Sequence, residues 1–265
     1  MNRLALMVLR NIAKVPGVYA KLRRYAKNPE KYTEAERYAH IQYIMKLAVA
    51  SGNVNLKVYG KENIPTENGF LVYPNHQGLF DVVAIVSEMD VPMGGVYKKE
   101  LMDIPVVKEI AAATYSYAMD REDARQGMEV IKNVTNEVMN GRNYLIFPEG
   151  TRSRNGNELL EFHGGSFRCA VKAKCPILPI AVIDTHKAFD QKGSAPITCQ
   201  VHFLKPIQYE EYEGMKANAV AELVKSRIQA AIDEYEEKKK NRQHIRAACF
   251  FISLLSICGK MLSVN

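Results

Sequence analysis

What this chain lacks narrows its chemistry. Its five cysteines, at 169, 175, 199, 249 and 258, are odd in number and irregularly spaced. They offer neither a disulfide framework nor paired Cys-x-x-Cys units, and they fit a reducing compartment, with Cys169 and Cys175 expected as buried packing residues. The six histidines are scattered, without a His-Glu-x-x-His run, so no metal is expected. Gly94-Gly95 and Gly164-Gly165 lack the spacing of a nucleotide-binding turn. Gly165-Ser166 lacks the Gly-x-Ser-x-Gly elbow that exposes a nucleophilic serine, which argues against a covalent serine hydrolase. No run reaches the roughly twenty apolar residues needed to cross a bilayer. Leu4 to Leu9 is too short, and Arg10 too early, for a secretion signal.

The chain is long enough for one sizeable domain: 265 residues, 47% hydrophobic and 25% charged, can enclose a full core. Strand-like runs recur at Leu56–Tyr59, Phe70–Tyr73, Gly95–Tyr97, Thr114–Met119, Tyr144–Phe147, Ile177–Ile183 and Thr198–Leu204. Helical patterns lie between several of them. Residues 123–140 carry Ala124, Met128, Ile131, Val134 and Val138 as an apolar stripe expected to face the core, with Gly141 at the end. Residues 217–242 are amphipathic through Val220, Leu223, Val224, Ile228 and Ile232. This alternation predicts an α/β domain over residues 51–243, a central sheet flanked by helices.

Tyr73-Pro74-Asn75-His76-Gln77-Gly78-Leu79-Phe80-Asp81 places an imidazole and a carboxylate, four residues between them, where a strand turns into a helix. Strand ends of this kind form clefts. An Asp81 in the first turn of the helix can fold back onto one ring nitrogen of His76, fix its tautomer and leave the other nitrogen to take a proton. A second apolar run, Tyr144-Leu145-Ile146-Phe147, ends in Pro148-Glu149-Gly150-Thr151-Arg152-Ser153. Pro148 and Gly150 bracket Glu149 in a tight turn. Arg152 can present a planar fork of donors to a phosphate.

In order along the chain, Asn75 to Asp81, Met119-Asp120-Arg121, Phe147 to Ser153, and Cys175 to Val182 resemble the four sequence blocks of the bacterial lysophosphatidic acid acyltransferases. The resemblance implies a glycerolipid acyltransferase-like fold. It also implies transfer of a fatty acyl group from a thioester donor, acyl carrier protein or coenzyme A, to the free hydroxyl of 1-acylglycerol 3-phosphate. It matches His76 to the general base and Asp81 to its orienting acid. Glu149 and Arg152 match acceptor-binding positions, with Gly150 and Thr151 between them, and Arg121 matches the second block. Lys98 and Lys99 are further candidates for phosphate or oxyanion contacts. Three departures stand out: Gly78 replaces a common serine, Gln77 varies from the usual run, and His163 stands where a lysine is frequent. Alternative readings are a different lysolipid acceptor or a non-catalytic lipid-binding protein.

Charge is unevenly spread. Residues 1–50 hold ten Lys or Arg against three Glu, and the remaining 215 residues balance 26 basic against 26 acidic side chains, so the net charge of +7 belongs to one end. Basic residues there interleave with Leu4, Leu6, Val8, Leu9, Ile12, Val15 and Val18, and a second helical stretch runs from Glu34 to Ala50. The expectation is a basic amphipathic helical hairpin lying on a membrane surface with anionic lipid, rather than contact with nucleic acid. Such an enzyme would sit on the cytoplasmic face of the membrane as a peripheral protein. The C-terminal stretch 244–265 is strongly apolar from Ala247 to Cys258 and could touch a membrane, cover a groove or form a loose tail.

Overall fold

Each of the seven strand-like runs forms a strand: β1 (Val54–Tyr59), β2 (Leu71–Pro74), β3 (Gly94–Lys98), β4 (Tyr117–Met119), β5 (Tyr144–Leu145), β6 (Ile177–Ile183) and β7 (Ile197–Phe203). The computed structural model describes the backbone of residues 2–262 and the side chains of residues 2–242 and 245. The strands build one sheet in the order β1-β7-β6-β2-β5-β3-β4. Five neighbours, β6 to β4, are parallel, while β7 pairs antiparallel with β6 and parallel with β1. The central strands β2 and β6 are buried along their whole length, as expected of parallel strands covered on both faces. Edge strand β1 instead alternates half-buried and exposed residues.

Helices cover both faces. One face carries α1 (Arg3–Arg10), α2 (Val15–Lys27), α3 (Glu34–Ser51), α4 (Phe80–Glu88) and α5 (Val107–Ala113); their Met7, Leu22, Ile41, Ala84, Ile85 and Ile110 share a core with Phe70, Val72 and Leu145. The other carries α6 (Ala124–Met139), α7 (Gly164–Ala173) and α9 (Ala217–Leu262), packed through Val134, Phe167, Val224 and Ile228 onto Tyr73 and Ile177; the four-residue α8 (Tyr209–Tyr212) precedes α9. Cys169, Cys175 and Cys199 are buried free thiols.

Several expectations need correction. The N-terminal segment holds three helices rather than a hairpin of two, because Pro16 occupies the first turn of α2 and restarts the helix after Asn11–Lys14. Its Arg3 does not face lipid. The side chain is buried, and its guanidinium donates to the carbonyls of Ala188, Gly52, Asn53 and Ala195. On α6 the core is Val130, Val134, Thr135 and Val138, whereas Met128 is 55% exposed. The expected stripe follows the right helix but its first turns face a cavity. β4 is shorter than the run Thr114–Met119, because Tyr115 turns the chain at a positive φ of 51° after α5. The backbone of α9 continues to Leu262, and the side chains of the apolar C-terminal stretch lie outside the described residues. No helix among the described residues is long and apolar enough to cross a membrane.

Since β2 and β5 are hydrogen-bonded neighbours in parallel, the segments that follow them, 75–81 and 146–153, leave the sheet side by side. The fold therefore brings the two charged turns together.

Candidate active site

Asn75 extends β2 by one rung through its side chain. Its Nδ2 donates to Val182 O at 3.0 Å and its Oδ1 accepts from Val182 N at 2.8 Å, so the amide imitates a strand residue against β6. The next residue, His76, is thereby held at the strand end, with its ring stacked on Phe147 at a centroid separation of 3.9 Å. Asp81 sits in the first turn of α4 and is completely buried. Its Oδ2 lies 2.8 Å from His76 Nδ1 and also accepts from the backbone N–H of Gln77 and Gly78, at 2.6 and 2.9 Å. Its Oδ1 accepts from Thr185 Oγ1 at 2.6 Å. An anion at a helix start that accepts backbone N–H groups is electrostatically favoured, and its bond to Nδ1 directs the other imidazole nitrogen outward. His76 Nε2 has no hydrogen-bond partner among the described residues. At Gly78, where the resembling block commonly has a serine, a Cβ would come within 3.3 Å of the His186 Cα.

The second turn is built around Glu149, also buried. Its Oε1 accepts from His76 N at 2.7 Å and its Oε2 from Leu160 N at 3.0 Å. Burial pushes its carboxyl above the ordinary value, against the lowering effect of these two amides. Ser153 N donates back to His76 O at 2.9 Å, so the two segments are cross-tied. Gly150 holds a φ of +66°, and a side chain there would crowd the His163 ring at 3.1 Å.

His76 opens onto a cavity of about 1170 Å³. Its deeper walls are apolar, from Ile41, Met45, Val83, Val86 and Ile110, and it is bordered by α1, α2, α3, α5 and α6. Of the residues singled out in the sequence, Lys98, Arg121, Glu149, Gly150, Thr151 and His163 line this cavity with His76. Arg152 is not among its lining residues. Lys98 is paired to Glu100 at 2.8 Å and Lys99 to Asp120 at 3.3 Å. Arg121 has no ion-pair partner among the described residues, and desolvation pulls its pKa down. Arg168 and Lys172 on α7 border the same space. Sequence reading missed them because exposed cations on an amphipathic helix carry no local signal; it also missed Thr185, which reaches Asp81 from the far end of β6. Among the described residues, no group of three or more His, Cys, Asp or Glu is arranged to hold a metal ion.

A buried acid fixed on one nitrogen of a half-buried histidine, with the other nitrogen facing an apolar cavity, is suited to taking a proton from a hydroxyl of an amphipathic substrate. The acyltransferase family model matches residues 55–183. The chain is 29% identical over 196 residues to the 1-acyl-sn-glycerol-3-phosphate acyltransferase of Saccharomyces cerevisiae, covering 72% of this chain and 63% of that protein. It is 29% identical over 191 residues to the enzyme of that name from Salmonella typhimurium, covering 71% and 78%. The crystal structure of the 1-acyl-sn-glycerophosphate (LPA) acyltransferase of Thermotoga maritima superposes with a TM-score of 0.71 at 23% identity, covering 88% of this chain and 96% of that one, a likeness of fold. The charged turns after β2 and β5 both lie inside the segment, residues 55–183, that matches the acyltransferase family.

Proposed function

We propose that the protein transfers a fatty acyl group from a thioester, carried on acyl carrier protein or coenzyme A, to the sn-2 hydroxyl of 1-acyl-sn-glycerol 3-phosphate, forming phosphatidic acid. The observation that carries this reading is the 2.8 Å contact between His76 Nδ1 and Asp81 Oδ2 at the mouth of the apolar cavity. The names of the similar yeast and bacterial proteins support the acceptor.

In this mechanism His76 Nε2 takes the hydroxyl proton as the acceptor oxygen attacks the thioester carbonyl. The resulting imidazolium is held by Asp81. Collapse of the tetrahedral intermediate breaks the C–S bond, and the imidazolium returns its proton to the thiolate. No covalent acyl-enzyme is needed. Positioned proton transfer contributes about a hundred- to ten-thousand-fold. Arg121, with Arg168 and Lys172 on the same rim, supplies positive charge for the acceptor phosphate, and the apolar walls take the acyl chain. Glu149 has both oxygens on backbone amides, so its part is to hold His76.

The protein would work as a peripheral enzyme at the cytoplasmic face of a membrane. Leu4, Val8, Leu9, Ile12 and Val15 are exposed apolar side chains at the rim of α1 and α2, in the segment that carries the surplus of positive charge.

The test is acyl transfer to labelled 1-acylglycerol 3-phosphate with either donor and lipid vesicles, comparing wild type with His76→Ala. Product from wild type that is lost in the variant is expected. Absence of product from wild type with both donors would overturn the acceptor assignment, and undiminished product from the variant would overturn the role of His76.

A further inference from the structure

We propose that Thr185 and Gln77 are positioning residues for acyl transfer, holding the Asp81 carboxylate through one oriented chain of hydrogen bonds anchored on two backbone N–H groups. The proposal rests on the reading of His76 and Asp81 as the proton-accepting pair.

The two oxygens of Asp81 are served unequally. Oδ2 receives His76 Nδ1 and the N–H groups of Gln77 and Gly78. Oδ1 has one partner among the described residues, Thr185 Oγ1 at 2.6 Å. Both Asp81 and Thr185 are fully buried, so no solvent replaces a lost donor. A buried carboxylate oxygen left without a partner carries the whole desolvation penalty of that atom, which disfavours the charged form that His76 needs.

The Thr185 hydroxyl has one proton and two acceptors in reach, Asp81 Oδ1 at 2.6 Å and Gln77 Oε1 at 2.9 Å. Which one receives it is decided further out. Asp184 lies at a positive φ of 61°, and the turn it makes after β6 directs two successive N–H groups into this cluster. The Asp184 N–H donates to Asn157 Oδ1 at 2.9 Å, which fixes that amide oxygen inward. The same oxygen accepts Gln77 Nε2 at 2.8 Å, so Gln77 must turn its own oxygen the other way. There it accepts the Thr185 N–H at 3.0 Å. An amide oxygen cannot donate, and it is already served by a backbone N–H. The Thr185 proton therefore goes to Asp81. Asn157 Nδ2 continues the chain to Glu236 Oε1 on α9 at 2.7 Å and to Asp184 Oδ1 at 3.3 Å. His186 Nδ1 lies at 3.4 Å from the Gln77 oxygen and could only donate to it.

Two backbone groups thus set the polarity of every amide and hydroxyl between α9 and the base pair. Neither Thr185 nor Gln77 lines the cavity beside His76, so their effect passes through Asp81.

The experiment compares wild type with Thr185→Ser, Thr185→Cys and Thr185→Val, reading kcat, KM for 1-acylglycerol 3-phosphate, and the His76 Nδ1–H proton signal in ¹⁵N-labelled protein. The expected result is kcat within about twofold of wild type for Ser, a loss on the order of ten- to a hundredfold for Val at nearly constant KM, and an intermediate value for Cys. The Nδ1–H signal should keep its position in Thr185→Ser and be displaced or broadened in Thr185→Val. A Val variant that retains both kcat and the signal would overturn the proposal. If Thr185→Val does not fold, equal kcat in Ser and Cys would overturn it instead. Should wild type form no product, the proposed reaction falls, while the Nδ1–H signal still decides whether Thr185 holds the pair.

Discussion

Glu149 meets His76 through the main chain and not through the imidazole: its Oε1 accepts the His76 N–H at 2.7 Å, while Oε2 accepts the Leu160 N–H at 3.0 Å. One carboxylate thus joins the strand end that carries the base to the loop that leads into α7. This relationship explains why an acidic residue sits in a buried turn without a cationic partner.

Replacing Glu149 by Gln leaves one oxygen for two N–H donors and turns an NH₂ group against the other. A loss of about 1–3 kcal/mol is expected, measured by urea unfolding, together with reduced kcat. The pH dependence has a definite sign. Burial raises the folded-state pKa of Glu149 above 4.5, so the folded form holds its proton longer than the unfolded chain. Its contribution is fully present below pH 4.5 and is lost as pH rises through the raised value. The stability difference between wild type and Glu149→Gln should therefore shrink in wild type's disfavour as pH rises through that window. A difference that grows in wild type's favour would contradict the assignment.

Asp81→Asn tests the charge of the pair with little change of shape. Its amide oxygen can take the place of Oδ2 and receive His76 Nδ1, Gln77 N and Gly78 N, while its NH₂ faces the Thr185 hydroxyl, which can accept. The variant should fold with a thermal midpoint near wild type. Acyl transfer should fall by on the order of a thousandfold, because the imidazolium loses its counter-charge. Activity within tenfold of wild type would remove Asp81 from the mechanism.

The sheet was legible because each strand is a short apolar run ended by turn residues, and seven such runs were enough for an α/β assignment. The His76–Asp81 pair was legible because both members lie in one local segment. What stayed hidden depends on distance along the chain: Thr185 is 104 residues from Asp81, and nothing near Thr185 marks it as a donor. Arg3 was misread for a related reason. A basic residue in an amphipathic helix reads as a lipid or solvent contact, but here four carbonyls from three distant segments surround it. The α6 stripe failed at Met128 because period 3.6 identifies an apolar face without telling a packed core from the wall of a cavity.

Arg3→Lys makes the Arg3 contacts testable. An ammonium cannot reproduce a planar fork that serves carbonyls at 2.9, 2.5, 3.3 and 2.8 Å. A loss of about 3 kcal/mol in urea unfolding is expected, because buried carbonyls and a buried charge are left poorly matched. Arg10→Lys, whose guanidinium meets Ser51 O and Asn53 Oδ1 nearer the surface, should cost less than about 1 kcal/mol. Equal costs would mean that burial is not what gives Arg3 its weight.

Gly127 separates helix stability from cavity shape. It lies inside α6, lines the cavity, and a Cβ added there would meet nothing within 4 Å. Its φ is not positive, so no backbone strain opposes a side chain. Gly127→Ala should therefore stabilise the protein by about 0.5–1 kcal/mol through helix propensity alone, with activity unchanged. Gly127→Phe keeps part of that gain but projects a ring toward the space that also borders Met128 and Ile131. If this space holds part of a lipid chain during turnover, the Phe variant should retain kcat with short acyl donors and lose kcat/KM with long ones, measured as a series of donors of increasing length. A uniform loss across the series would instead place the obstruction at the reacting centre. No loss at all would mean that the lipid chains lie deeper, along Ile41, Met45 and Val86.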